Sequence, residues 1–297
     1  MDHKVFNIAL AGNPNSGKSS LFNLLTGLNQ KIANFPGVTV EKKSGRLLLD
    51  NGQVVNLIDF PGAYSMHAIT MDEQVFTRLI ENKTNENYPD VICYVINSEH
   101  IERHLLLATQ LKDLGIPIII ALSMSDIAPL DSSRIESLQE TFKVPMVLMS
   151  AKTGEGIQEL KSELNQIIEK ILNGTFNQEK FLNSINWFAK LKEENIKNSY
   201  ADESNTYDNF LNVIAHEIHE KKTPPPSVLK AQVWDTMLRY DKLEPLIRKL
   251  SSNDEQINVK HGKLDKILIH PLWGMLIFTG IMLIVFQSIF SWSEKPI

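Results

Sequence analysis

Up to about residue 170, short continuous apolar runs alternate with stretches in which apolar residues recur every three or four positions. The runs predict strands at 5–11, 44–49, 54–59, 91–97, 117–123 and 144–149. The 3.6-residue spacing predicts helices at 18–26, 72–81, 103–114, 134–141 and 157–171. Strands and helices in alternation imply an α/β domain over residues 1–172, a mostly parallel six-stranded sheet covered by helices. Asn51-Gly52 between the second and third strands is a hairpin signal, so that pair is expected to be antiparallel.

Beyond residue 173 glycine becomes scarce, β-rich runs stop, and helical spacing with many Lys, Glu and Asn takes over. A small all-α domain is expected over 173–267. The Pro224-Pro225-Pro226 run divides it, and the long helix predicted at 227–250 offers Val228, Ala231, Trp234, Leu238 and Leu246 as core contacts.

Residues 271–292 contain no charge. The stretch 272–290 is 19 residues, about 29 Å as a helix, close to the hydrocarbon thickness of a bilayer. Trp273 and Trp292 bracket it as interfacial aromatics do. One transmembrane helix is therefore expected over 268–293, against the plainer reading of a long buried core helix. Lys260, Lys263 and Lys266 precede it, whereas Glu294 and Lys295 follow, so the positive-inside rule puts the N-terminal domains in the cytoplasm.

Composition adds exclusions. The chain of 297 residues is 43% hydrophobic and 22% charged, with net charge −5, which gives no global argument for nucleic acid as a partner. The lone Cys93 allows no internal disulfide and fits a reducing compartment. The N-terminus leads straight into a strand-like run, with no signal peptide visible.

The chemistry begins at Gly12-Asn13-Pro14-Asn15-Ser16-Gly17-Lys18-Ser19, a P-loop pattern between a predicted strand and a predicted helix, with Ser20 following. Such loops wrap backbone N–H groups around phosphates; Lys18 is expected on the β- and γ-phosphates and Ser19 on Mg²⁺. Base choice falls to Ser123-Met124-Ser125-Asp126, where G proteins usually carry Asn-Lys-x-Asp. An aspartate accepts from guanine N1 and the exocyclic amine and rejects adenine, which presents the opposite polarity. Asp126 fits that role. Ser123 departs from the pattern, and its short hydroxyl is not expected to copy the asparagine's link between base and P-loop. Ser150-Ala151-Lys152 supplies the last guanine segment, with the Ala151 amide meeting O6. GTP and GDP are the expected ligands.

Asp59-Phe60-Pro61-Gly62 ends the third predicted strand as a DxxG element: Asp59 holds Mg²⁺ through a water and the Gly62 amide senses the γ-phosphate. Upstream, Gly37 and Thr39 lie in a switch-like segment whose threonine would complete the metal shell; the plainer reading of Thr39 is a strand-entry residue. Ala63 follows Gly62 where Ras-type enzymes carry a water-orienting glutamine, so hydrolysis needs another device. Asn15 offers one, because G proteins with asparagine there can hold K⁺ beside the phosphates; the plainer reading is that Asn15 only shapes the loop. Asn15, Lys18, Thr39 and Gly62 are the catalytic candidates, and Ser19, Thr39, Asp59 and Asn15 the metal candidates.

The segments GNPNSGKSSLFNLLTG, NFPGVTVEKKSG and DFPGAYSM, followed by a helical region and an apolar span, resemble the N-terminal part of the bacterial ferrous iron transporters of the FeoB family. The resemblance implies a cytoplasmic GTPase domain at the bacterial inner membrane and a helical spacer affecting GDP release. It also implies K⁺-stimulated hydrolysis with Asn15 as a ligand, helped by the loop around Asn34. The implied partners are the remaining membrane domain of an Fe²⁺ transporter and small cytoplasmic Feo proteins, with a homo-oligomer possible. One span cannot form a pore, so the sequence reads as part of a longer protein. Phe35 and Ser123 depart from the family's usual tryptophan and asparagine. A ribosome- or tRNA-maturation GTPase and a slow GTP switch are the competing readings. His100-Ile101-Glu102-Arg103-His104 and the His216/His219 pair read as solvated helix faces rather than metal sites.

Overall fold

The structure is a computed structural model that describes residues 5–27, 30–35, 38–68, 70–196, 205–221, 224–252 and 271–293. It forms two units, Met1–Leu250 and Ser251–Ile297. In the first, β1 (Asn7–Ala11), β4 (Val54–Asp59), β5 (Val91–Asn97), β6 (Ile118–Ser123) and β7 (Met146–Leu148) run parallel, and β2 (Gln30–Asn34) and β3 (Glu41–Leu48) are antiparallel. The order is β2-β3-β4-β1-β5-β6-β7. The sheet therefore has seven strands and two antiparallel pairings, not the expected six and one. The missed strand, β2, reads Gln-Lys-Ile-Ala-Asn and leaves four of its five residues exposed, so no buried alternation marks it.

The central strands are buried on both faces, as parallel strands under helices must be. Successive residues of β5 supply opposite layers. Ile92, Tyr94 and Ile96 enter one core, and Val91, Cys93 and Val95 the other. Helices α1 (Lys18–Thr26) and α5 (Ile157–Leu172) pack in the second layer through Leu21, Phe22, Leu160 and Leu164. The first layer holds α2 (Met71–Glu81), α3 (Leu105–Asp113, entered through a 3₁₀ turn at Ile101–His104) and α4 (Ser132–Phe142). Thr70 and Glu73 form a reciprocal capping box that fixes the start of α2.

Helices α6 (Trp187–Glu193), α7 (Tyr207–Lys221) and α8 (Pro226–Ser252) extend that same layer. Pro226 opens α8, where its missing N–H costs nothing. Val228, Ala231 and Leu246 are buried and Trp234 and Leu238 half-buried, all within the core named from spacing. Trp187 sits among Tyr207, Phe210 and Trp234 with ring centroids 5.0, 5.0 and 5.5 Å away.

The second unit holds α9 (Pro271–Ser293). Its described side chains, 272–288, carry no charge, and Leu272, Leu276, Phe278 and Ile284 are each at least 60% exposed. On described residues alone, no helix is long and apolar enough to cross a membrane. The 19-residue run 272–290 reaches past those side chains, and the helical backbone covers all of it.

Candidate nucleotide site

The P-loop joins β1 to α1 with three residues in left-handed or otherwise positive-φ backbone: Gly12 (φ 154°), Asn15 (φ 62°) and Gly17 (φ 92°). Gly12 is required by space as well, because a Cβ there would lie 2.5 Å from the Val95 carbonyl oxygen. Asn13 is anchored from below. Its Nδ2 donates to Arg103 O at 2.9 Å, and the Tyr94 hydroxyl lies 3.1 Å from its Oδ1 and 2.8 Å from His104 O. The Asn13 side chain thus belongs to the scaffold, leaving its backbone for a ligand. Tyr94, Arg103 and His104 were not legible as supports, since Tyr94 sits inside an apolar run. Burial pushes the His104 imidazole down to about 4, with nearby His100, Lys18 and Arg103 adding to the effect.

Lys18 is buried with Nζ 3.4 Å from Asn13 O. Burial lowers its pKa and the Asp59 charge partly restores it; burial raises Asp59, and Lys18 is the first charge opposing that. Ser19 Oγ stands 3.5 Å from Asp59 Oδ2, so two of the four expected metal residues share one place. Asp59 Oδ1 and Ser16 Oγ are buried without a hydrogen-bond partner among the described residues. A buried carboxylate oxygen without a donor, beside a serine hydroxyl at a helix start, suits a hard cation such as Mg²⁺. Ser20 follows, exposed on α1.

The DxxG turn lies directly on the P-loop. A Cβ on Gly62 would meet Pro14 Cγ at 2.9 Å, and Ala63 N donates to Gly12 O at 3.3 Å. Ala63 is fully buried and offers no group to a water. The chain then runs to Gln110 on α3, whose Oε1 accepts from Met66 N at 2.8 Å and from Ser65 Oγ at 3.1 Å. Thr39 is exposed and lines a cavity of about 420 Å³ with Glu41 and Pro61, which brings it beside the DxxG turn. No hydrogen bond joins it to Ser19 or Asp59 among the described residues. Gly37 lies outside them. Asn15 is exposed, and Asn34, whose loop is expected to help hold K⁺, ends β2 opposite Glu41.

The guanine segments are tied to the P-loop and to each other. Ser123 Oγ stands 2.6 Å from Ser16 O and 3.0 Å from Ile96 O, with one hydrogen to donate between them. The hydroxyl therefore reaches the P-loop backbone, which is one side of the base-to-P-loop link that its short side chain is not expected to complete. Met124 adopts φ 63°, and its Cε approaches Gly17. Ser150 Oγ donates to Asp126 Oδ1 at 2.7 Å and accepts from the Lys152 amide at 3.3 Å. Ala151 is half-buried between them.

Residues 6–164 match the family model of ferrous iron transport protein B. The chain belongs to the FeoB family. The Fe(2+) transporter FeoB of Leptospira interrogans (serovar Lai) is 34% identical over 322 residues, covering 99% of this chain and 44% of that protein. The chain thus spans less than half the length of the curated relatives it matches. The cytosolic domain of the T. maritima FeoB iron transporter is similar in its GMPPNP form (26% identity, TM-score 0.62, 82% of this chain and 98% of that one). Its GDP form I is equally so (27% identity, TM-score 0.62, 84% and 98%). These matches establish the α/β G-domain fold within a family of iron transporters.

Proposed function

We propose that this FeoB-family chain binds guanine nucleotide at the P-loop, hydrolyses GTP, and serves as the cytoplasmic module of a membrane Fe²⁺ transporter. The observation that carries the reading is the direct linkage of the P-loop to the DxxG turn, to Asp59 and to Ser123. Pro14 touches Gly62, Ser19 faces Asp59, and Ser16 is held by Ser123. The GDP and GMPPNP forms of the T. maritima relative support the same ligand class here.

In this reading the amides around Gly12–Lys18 wrap the phosphates and Lys18 neutralises the β- and γ-oxygens. Asp126 accepts from the guanine edge while Ser150 fixes its carboxylate, and the Ala151 amide meets O6. Ser19, Asp59 and Thr39 would hold Mg²⁺, and Asn15 with the loop near Asn34 would hold K⁺; bound there, the two ions supply positive charge to the phosphates. Gly62 donates its amide to the γ-phosphate, and the contact with Pro14 carries that event into the P-loop. The buried Ala63 leaves no side chain to orient water, which is why a monovalent ion is assigned the accelerating role.

The uncharged helix α9 supports a membrane span: 23 residues rise about 35 Å. With Lys260, Lys263 and Lys266 on its N-terminal side, the nucleotide site faces the cytoplasm at the bacterial inner membrane. Residues 1–172 are taken as the G domain, 173–267 as the helical domain and 268–293 as the span.

The test is GTP turnover in KCl against NaCl at equal ionic strength, for the parent chain and Asn15→Ala. Strong stimulation by potassium that disappears in the variant supports the assignment. Slow turnover in both salts with GTP still bound would leave a switch that needs an outside activator.

A further inference from the structure

Helix α8 has two faces. One is in the core, through Val228, Ala231, Leu243 and Leu246, with the buried Asp235 and Arg239 between. The other exposes Leu229 (45%), Val233 (56%), Met237 (60%) and Tyr240 (42%). Steps of four, four and three residues keep these side chains on one flank of a 3.6-residue helix. Four large apolar groups in one line is more than the scattered exposure ordinary for a monomer surface.

The stripe is symmetric about its own middle. Val233 and Met237 form its centre line. Leu229 and Tyr240 lie on one side of that line, and exposed Lys230 and Asp241 lie on the other. A two-fold axis perpendicular to α8 reverses the direction of the helix and keeps each side in place. The pairings 229/240, 233/237 and 230/241 all centre within half a residue of position 235, about 0.75 Å along the axis. Apolar therefore meets apolar, and Lys230 meets Asp241 twice. Neither charge carries an ion pair among the described residues.

We propose that this face binds a second copy of the chain, α8 against α8 antiparallel, through an isologous two-fold contact. One cation and one anion at equal distances from the centre complement themselves and no uniformly charged partner. Glu244 on the exposed face is paired with Arg248 at 2.6 Å, and Lys230 is balanced by Asp241, so the face offers no excess of positive charge to an anionic lipid surface. Four apolar side chains per copy fall below the roughly 800 Å² per partner of a standard interface, so the dimer is weak and concentration-dependent. The proposal stands apart from nucleotide chemistry and does not depend on it.

The experiment is sedimentation of the full chain in detergent micelles over a concentration series, with disulfide mapping. Lys230→Glu places like charges at both contacts and weakens dimerisation about tenfold or more. The double exchange Lys230→Glu/Asp241→Lys restores it to within about threefold. Chains carrying Val233→Cys and Met237→Cys cross-link when mixed and little when alone. The native Cys93 is buried, its thiol pushed up to about 12, and does not interfere. A chain monomeric at about 100 μM, a dissociation constant indifferent to Lys230, or Val233→Cys linking chiefly to itself overturns the proposal. So does a monomer that binds phosphatidylglycerol vesicles through this stripe.

Discussion

Arg239 Nη1 stands 2.7 Å from Asp113 Oδ2, joining α8 to the end of α3 with both side chains almost fully buried. Its Nε donates to Asp235 at 2.8 Å, and Asp113 Oδ1 also accepts from the Leu182 amide at 3.1 Å. The flanking carboxylates and Tyr207 hold Arg239 firmly ionised against its burial. Removing one member of a buried ionic group strands the others, at about 3–5 kcal/mol. Arg239→Met is expected to lower stability by that amount in urea denaturation followed by tryptophan fluorescence, since Trp187 and Trp234 lie in this layer. A loss below about 1 kcal/mol would mean that water reaches the group.

Ser123→Ala removes the hydroxyl that serves Ser16 O and Ile96 O. One net hydrogen bond is worth about 1 kcal/mol, so GDP affinity is expected to fall about five- to tenfold, with the base preference retained. Fluorescent-nucleotide titration reads this directly; unchanged affinity would show that the P-loop holds its shape without the bond.

Asp126→Asn reverses the polarity presented to the base edge. GDP binding is expected to weaken about a hundredfold while xanthosine diphosphate gains, because its ring carries a carbonyl where guanine carries the amine. Competition between the two nucleotides decides it, and equal losses for both would remove Asp126 from the base contact.

Gly62→Ala adds a Cβ 2.9 Å from Pro14 Cγ and 3.0 Å from Pro14 N. The turn must shift off the P-loop. GDP affinity is expected to stay within about threefold and GTP turnover to drop more than tenfold, as befits a γ-phosphate contact. Parallel loss of both would place Gly62 in general phosphate binding.

Glu81 on α2 is pushed up from its ordinary 4.5 to about 7 by burial, with Arg78 the only charge opposing it. The folded chain then binds more protons than the unfolded one between those values. Its stability is full below pH 4.5 and falls as pH rises toward 7, by up to about 3 kcal/mol. Glu81→Gln is expected to abolish this slope, so the variant's advantage over the parent appears above pH 7 in denaturation curves at pH 5 and 8. A constant difference across that range would show that Glu81 is solvated.

The fold was legible where burial enforces a period. β5 and β6 are apolar on both faces, α5 keeps a clear stripe, and α8 repeats apolar residues at helical spacing, so each stood out in the sequence. β2 was not, because an exposed edge strand places no apolar demand on its residues. The phosphate loop and DxxG turn were legible because positive φ and close approach narrow the choice of residue at Gly12 and Gly62. The supports were hidden. Tyr94, Gln110 and Asp113 act on partners between 10 and 126 positions away, and no local pattern carries such a pairing. The contact of Ser123 with Ser16 was hidden as well, because a side chain's reach depends on how closely two loops approach, which a sequence does not state.

The segment bearing Thr39 is fastened at both ends, by the Asn34–Glu41 pairing and by the Phe35 amide on Val40 O at 2.9 Å. Phe35 is itself sunk in the core, edge-on to Phe60. Thr39 is two residues from the paired Glu41, a leash of about 7 Å at full stretch. In the proposed metal shell, that short leash leaves little freedom between Thr39 and Glu41 to be surrendered when Thr39 is drawn in, so its capture would cost little entropy.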